Sequence, residues 1–290
     1  MQSSNPLKAA AWMLGAAASF AMMAVAGRAI QVEMNTFELM LYRSFIGFAA
    51  VVAFLVLRGK GFASVHSARP WLHVKRNLFH FTGQNLWFYA VMLIPLGQLA
   101  ALEFTNPIWV ALLAPLLLGE RLTRTRLLAV LAGFVGIVVV AQPGSAPIGI
   151  GHVTALAAAI GFALNTIYTR QIMSYDSVIC VLFWMTLSQG VMSLVLSLPG
   201  GIPAPTVATA PWLLIIGLTG ISAHYALTSA LNHAPASVVA PMEYFRLPVM
   251  AALGVTLYNE PLSGMVFVGA ALIISGNLIN LRVETRRVPA

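Results

Sequence analysis

The chain has 290 residues, of which 59% are hydrophobic and 8% charged. A soluble globular protein carries about a quarter charged residues to keep its surface in water, so that class is excluded and lipid must solvate much of the exterior. The net charge of +8 would suggest a nucleic-acid partner in a soluble protein. In a membrane chain it reflects cytoplasmic loops that collect Lys and Arg, and no nucleic acid is expected.

Ten apolar segments follow in chain order: 7–28, 37–57, 76–94, 97–118, 125–141, 151–171, 177–197, 211–231, 236–258 and 263–281. They approach or exceed the ~20 residues that cross ~30 Å of hydrocarbon as a helix. Neither Leu7–Gly27 nor Leu127–Ala141 shows the alternation that a membrane barrel strand requires. Breakers mark the short connections, as at Pro95-Leu96-Gly97, Gln142-Pro143-Gly144, Pro199-Gly200-Gly201 and His233-Ala234-Pro235. The third segment is the least apolar because of Arg76, His80, Gln84 and Asn85, and the fourth contains Glu103, Pro107 and Pro115.

Charge sets the orientation. With the N-terminus inside, the even-numbered connections hold Arg58, Lys60, Arg69, Lys75 and Arg76, then Arg121, Arg124 and Arg126, then Arg170, and the tail adds Arg282, Arg286 and Arg287. The outside connections at 94–97, 142–150, 198–210 and 259–262 hold neither Lys nor Arg; Arg28, at the outer end of helix one, is the exception. Both termini are therefore expected in the cytoplasm of a bacterial inner-membrane protein.

The chain also repeats itself. At an offset of 140, Pro95, Ala100, Glu103, Ala111, Leu113, Leu117, Glu120, Leu122 and Gly136 match Pro235, Ala240, Glu243, Ala251, Leu253, Leu257, Glu260, Leu262 and Gly276. At an offset of 142, Phe20-Ala21, Arg28 and Ile30 match Phe162-Ala163, Arg170 and Ile172. Lys8 and the run to Ala26 would suit a cleaved signal peptide, but this segment has its counterpart in the second half. Five helices per half is an odd number, so the halves, divided as 1–145 and 146–290, enter the bilayer from opposite faces. The expected fold is an all-α polytopic membrane protein of ten transmembrane helices in two inverted five-helix repeats. Carriers are commonly built this way, with substrate held at mid-membrane between the repeats.

Leu118-Gly119-Glu120-Arg121-Leu122-Thr123, followed by a Gly- and Ala-rich helix, resembles the drug/metabolite transporter superfamily and, within it, the EamA-type members. The second copy, Asn259-Glu260-Pro261-Leu262, has Asn where that motif has Gly. The resemblance spans essentially the whole chain. It implies export of amino acids or other metabolites, with helices one, three, four, six, eight and nine around a central cavity, and within the family the chain looks most like bacterial exporters of aromatic and other amino acids.

Ionisable groups inside a membrane are costly and become functional candidates. Arg43 and Glu103 lie at similar depth on helices two and four, which would let them pair. Glu243 and Arg246, three apart on helix nine, would share a face. Each pair would either fix helix packing or meet substrate, Arg246 receiving a carboxylate and a glutamate an ammonium. His80 and His224 are candidate proton carriers. Asn77, His80 and Gln84 recur at helical spacing with Asn85 and Tyr89 close by, a stripe that must avoid lipid. With Asn106 and Trp109, Asn165 and Tyr168, Tyr225 and Thr228, and Tyr244, they would line a pocket for a small amphipathic solute. Glu120 and Glu260, at corresponding helix ends, suit either gating or satisfaction of the amides and dipole of the helix that follows.

Ala132-x-x-x-Gly136 and Ala271-x-x-x-Ser275 allow close helix contact, for scaffold packing or a homodimer seam. The single cysteine, Cys180, excludes an internal disulfide and a multi-cysteine metal site. No metal or cofactor is expected, and the chain lacks a Walker motif. An intramembrane enzyme would need paired catalytic residues, but there is no His-Glu-x-x-His and Asp176 is the only aspartate. A secondary transporter exporting amino acids or related small metabolites by alternating access is the function expected.

Overall fold

A computed structural model describes residues 5–59, 61–118, 124–141, 148–233, 239, 242–261 and 263–285. Over these residues it is helical, without strands, and its α-helices are α1 (Pro6–Ile30), α2 (Thr36–Leu57), α3 (Pro70–Leu93), α4 (Leu96–Glu103), α5 (Asn106–Leu118), α6 (Arg124–Ala141), α7 (Ile150–Ile172), α8 (Val178–Ser197), α9 (Ala210–His233), α10 (Arg246–Tyr258) and α11 (Gly264–Thr285). Six stretches are long and apolar enough to cross a bilayer, with Leu96–Leu117 counted across α4 and α5. Together with the shorter apolar helices and α3, they make a ten-span membrane protein.

Local chemistry sets the helix starts. Asn5 accepts from the Lys8 amide ahead of Pro6. Asn35 and Glu38 cap each other's backbone at α2, and Ser177 caps α8. α3 starts at Pro70, ahead of the expected residue 76, because Pro fits the first helical position. Its low hydropathy has a structural reason: His73, Arg76, Asn77, His80, Gln84 and Asn85 are all buried.

The fourth span is two helices, broken at Phe104-Thr105, and the ninth breaks at the matching Tyr244-Phe245. Pro107 and Pro248 lack the amide that would bond the carbonyls of Glu103 and Tyr244, four residues earlier, so each break falls where a proline leaves the ladder incomplete. Such breaks are tolerated in a bilayer only where protein or a cavity surrounds them.

The helix bounds display the repeat. α3 and α9 start at 70 and 210 and end at 93 and 233; α5 and α10 start at 106 and 246 and end at 118 and 258. Packing runs mainly across the halves, with α1 on α9, α3 on α7, α2 on α8 and α6 on α11. Small residues permit the closest of these contacts. A Cβ on Gly161 would lie 2.9 Å from the Gly83 Cα, and one on Gly136 would lie 2.7 Å from the Gly269 carbonyl oxygen. The small face at Gly136 is thus used within the chain, whereas Ala271 and Ser275 are exposed.

Near the cytoplasmic end, Asp176 accepts from Ser67 (2.7 Å) and contacts His73 Nε2 (2.8 Å). The buried Cys180 thiol donates to the Val65 carbonyl. These contacts hold the α2–α3 and α7–α8 connections together.

Arg28 breaks the charge rule at the outer face because its charge is spent there. It forms an ion pair with Glu260, donates to the Val91 and Ile94 carbonyls, and lies 4.4 Å over the Tyr258 ring. Glu260 also accepts from the Leu96 amide at 2.7 Å. It therefore caps α4, in the other half, where the sequence suggested the helix after it. The corresponding reading of Glu120 falls outside the described residues.

Candidate functional site

A cavity of about 210 Å³ lies between the halves, walled by α1, α2, α3, α4, α5, α7, α9 and the broken ninth span. Much of its lining comes in repeat-related pairs. At an offset of 140 these are His80 with Gly220, Gln84 with His224, Trp87 with Leu227, Glu103 with Glu243, and Asn106 with Arg246; at 142 they are Phe20 with Phe162 and Met23 with Asn165. On α1 the lining runs from Met13 to Met23, which leaves the outer end of the bundle to the Arg28–Glu260 cluster.

Rings run along the cavity in sequence. Phe162 lies 5.9 Å from His80, His80 lies 6.0 Å from His224, and His224 lies 6.5 Å from Phe20, centroid to centroid. Phe20 in turn sits under the Arg246 guanidinium at 4.7 Å, and Phe104 lies 5.3 Å from the same group. Aromatic faces attract both cations and flat rings.

The ion pairs differ from those the sequence suggested. Glu103 binds Arg246 at 2.7 Å and accepts from the Trp87 indole at 2.9 Å. Arg43 is absent from that pair because α2 packs on α8 and α9; its guanidinium points instead to Gln189 Oε1 at 3.4 Å. Glu243 and Arg246 do not share a helical face, because the break at Tyr244-Phe245 falls between them. The symmetry is incomplete at this point. Glu103 meets a cation, whereas the residue at Arg246's repeat position opposite Glu243 is the neutral Asn106. Among the described residues Glu243 makes no hydrogen bond or ion pair, and it is exposed to the cavity.

Of the residues marked from sequence, His80, Gln84, Asn165, Arg246, Arg43, Glu103, Glu243, His224 and Asn106 reach the lining. The others are engaged elsewhere. Asn77 donates to the Trp184 carbonyl and to Ser188, and Asn85 to the Phe81 carbonyl of its own helix. Trp109 donates to Thr105 and meets Phe134 edge-on. Tyr168 stacks on Phe79, and Tyr244 meets Phe104 edge-on. Tyr225 is 57% exposed and contacts Trp12 on the outside of the bundle. Tyr89 is exposed as well, and the Thr228 side chain is not among those described. Phe20, Met13, Met23, Trp87 and Phe162 also line the cavity, apolar residues that the sequence does not distinguish from packing ones.

Unspent polar groups remain in the lining. Asn165 Oδ1 and Arg43 Nε are both buried without a hydrogen-bond partner, and such groups are costly in an apolar setting unless something completes them.

Comparison with known proteins fits this architecture. The EamA-like transporter family model matches twice, at residues 7–142 and 149–282. A riboflavin transporter of Rhizobium johnstonii is 30% identical over 241 residues, covering 83% of this chain and 80% of that protein. An S-adenosylmethionine uptake transporter of Rickettsia bellii is 25% identical over 278 residues, covering 95% and 94%. A riboflavin transporter of Vibrio cholerae is 27% identical, covering 98% and 96%. A crystal structure at 20% identity superposes with a TM-score of 0.66 over 98% of this chain and 100% of the other, and shares the fold. The chain belongs to the EamA-like transporter family of the drug/metabolite transporter superfamily, and is a multi-pass small-metabolite transporter of the bacterial inner membrane.

Proposed function

We propose that this protein carries small metabolites bearing a flat ring across the inner membrane, in the uptake direction, by alternating access between its two inverted halves. The observation that carries this reading is the paired lining: Phe20 and Phe162, at repeat-related positions, flank His80 and His224 along one cavity between the halves. Such a row of rings suits a planar heteroaromatic solute. The named substrates of the related proteins, riboflavin and S-adenosylmethionine, both have one.

The outer end is held shut by Arg28, Glu260 and the start of α4. The repeat puts Arg170 and Glu120 at the corresponding positions toward the cytoplasmic end. Exchange of one closure for the other is the rocking motion of an inverted-repeat carrier. Amino-acid export, the function expected from the sequence, is the second reading. It is favoured by the opposite charges in the lining, and its aromatic members share the ring requirement.

The test is transport by proteoliposomes of the purified protein. Labelled riboflavin, S-adenosylmethionine, tryptophan and alanine are each offered with and without a pH gradient. Accumulation of ring-bearing members over alanine is expected. Equal handling of alanine and tryptophan would remove the ring requirement, and no movement of any member would remove the substrate class.

A further inference from the structure

We infer that the substrate is a zwitterion, whose carboxylate docks on Arg43 and whose cationic centre docks on Glu243. This rests on the carrier reading above and narrows it.

Arg43 is 5% exposed, lies two turns into a membrane-spanning helix from its outer end and lines the cavity. A guanidinium at that depth needs a counter-charge or a full set of acceptors. Among the described residues it has one acceptor, Gln189 Oε1 at 3.4 Å, which is longer than an ordinary N–H···O bond. Its Nε has no partner. The group lies flat against the Gly220 backbone, where a Cβ would fall 2.9 Å from the terminal nitrogen and 3.0 Å from Nε. α9 therefore leaves room for the guanidinium without supplying an acceptor.

The partner that Arg43 does have is itself fixed. Gln189 uses its oxygen on Arg43, so its amide nitrogen, a donor only, meets His80 Nδ1 at 2.6 Å. His80 must accept there, and its proton sits on Nε2. Gln189 and His80 thus hold Arg43 in place without neutralising it. Donors held in position around a buried cation recognise a carboxylate well.

The lining at Glu243 has the opposite imbalance. Glu103, Glu243 and Arg246 form one electrostatic cluster of two carboxylates and one guanidinium. Arg246 is committed to Glu103 at 2.7 Å, which leaves the Glu243 charge facing the cavity. A solute that carries a carboxylate at one end and a cationic centre at the other answers both imbalances at once.

Binding to the purified full-length protein in detergent micelles tests this with ligand pairs that differ in one charge. S-adenosylmethionine is compared with its carboxyl methyl ester, tryptophan with tryptophan methyl ester and with indole-3-propionate, and riboflavin serves as the uncharged ring. In the wild type the zwitterion is expected to bind at least about tenfold more tightly than its ester or its des-amino analogue, as a charge-assisted contact requires. Arg43→Gln should erase the preference over the ester and keep that over the des-amino acid; Glu243→Gln should do the reverse. The wild-type comparison needs no variant, so a misfolded substitution leaves the test intact. Equal binding of acid and ester, or binding of riboflavin alone, overturns the zwitterion while leaving the carrier reading in place. Binding of no panel member overturns both.

Discussion

Glu260 and Arg28 stand 232 residues apart in the chain, yet their side chains form an ion pair that joins the second half to the outer end of α1. The other Glu260 oxygen takes the first amide of α4. One carboxylate therefore holds three elements at the outer face. Glu260→Ala is expected to open that face. A cysteine placed at Met23, inside the cavity, should then react faster with a membrane-impermeant thiol reagent added from outside, by about tenfold for each ~1.4 kcal/mol of closure lost. An unchanged rate would show that the cluster does not close the cavity.

Glu103 and Arg246 should behave as a unit. Removing one charge leaves the other unpaired inside the bundle at a cost of about 3–5 kcal/mol, whereas removing both can be close to neutral. Glu103→Gln is thus expected to lower thermal stability in detergent more than the double variant Glu103→Gln with Arg246→Gln. Additive losses would argue against the pairing.

Gly161 crosses Gly83 with backbone against backbone. In Gly161→Ala the new Cβ has no flexible side chain to displace, so α3 and α7 must separate, at a cost of about 1–3 kcal/mol. A fall in melting temperature of several degrees is expected. Gly149→Ala, at the N-cap of α7 and meeting nothing within 4 Å, is the control and should lower the melting temperature less.

Tyr225 lies outside the cavity that its neighbour His224 lines. It lies on α9 one residue after His224, but it is 57% exposed and contacts Trp12. Tyr225→Ala is expected to leave substrate affinity unchanged, while Phe20→Ala or Phe162→Ala lowers affinity for a ring-bearing solute by about 2- to 12-fold, corresponding to ~0.5–1.5 kcal/mol of ring contact. Isothermal titration of the three variants distinguishes these outcomes.

Much of this arrangement was legible in the sequence. Run length and Lys/Arg placement gave the spans and their orientation, and the matches at 140 and 142 gave the repeat. Polar residues on α3 pointed inward because lipid cannot solvate them. Phe20 and Phe162 were visible as a repeat match, but a phenylalanine in an apolar helix looks like any lipid-facing or packing residue. The break in the ninth span had a signal in Pro248, whose effect falls four residues earlier. Taken as one unbroken helix, the same residues put Glu243 and Arg246 on one face. The Arg43–Gln189–His80 arrangement joins three helices from both halves, and no periodicity along one helix encodes such a meeting.

The mismatches within the paired lining have a consequence for vectorial transport. Where an inverted-repeat carrier has identical residues at both members of a pair, swapping the conformations of its halves presents the solute with the same chemistry from either side. Phe20 with Phe162 and Glu103 with Glu243 are such positions. Gln84 with His224, Met23 with Asn165 and Asn106 with Arg246 are not. Any difference in apparent affinity between the periplasmic and cytosolic aspects that originates in the lining must come from unlike partners such as these.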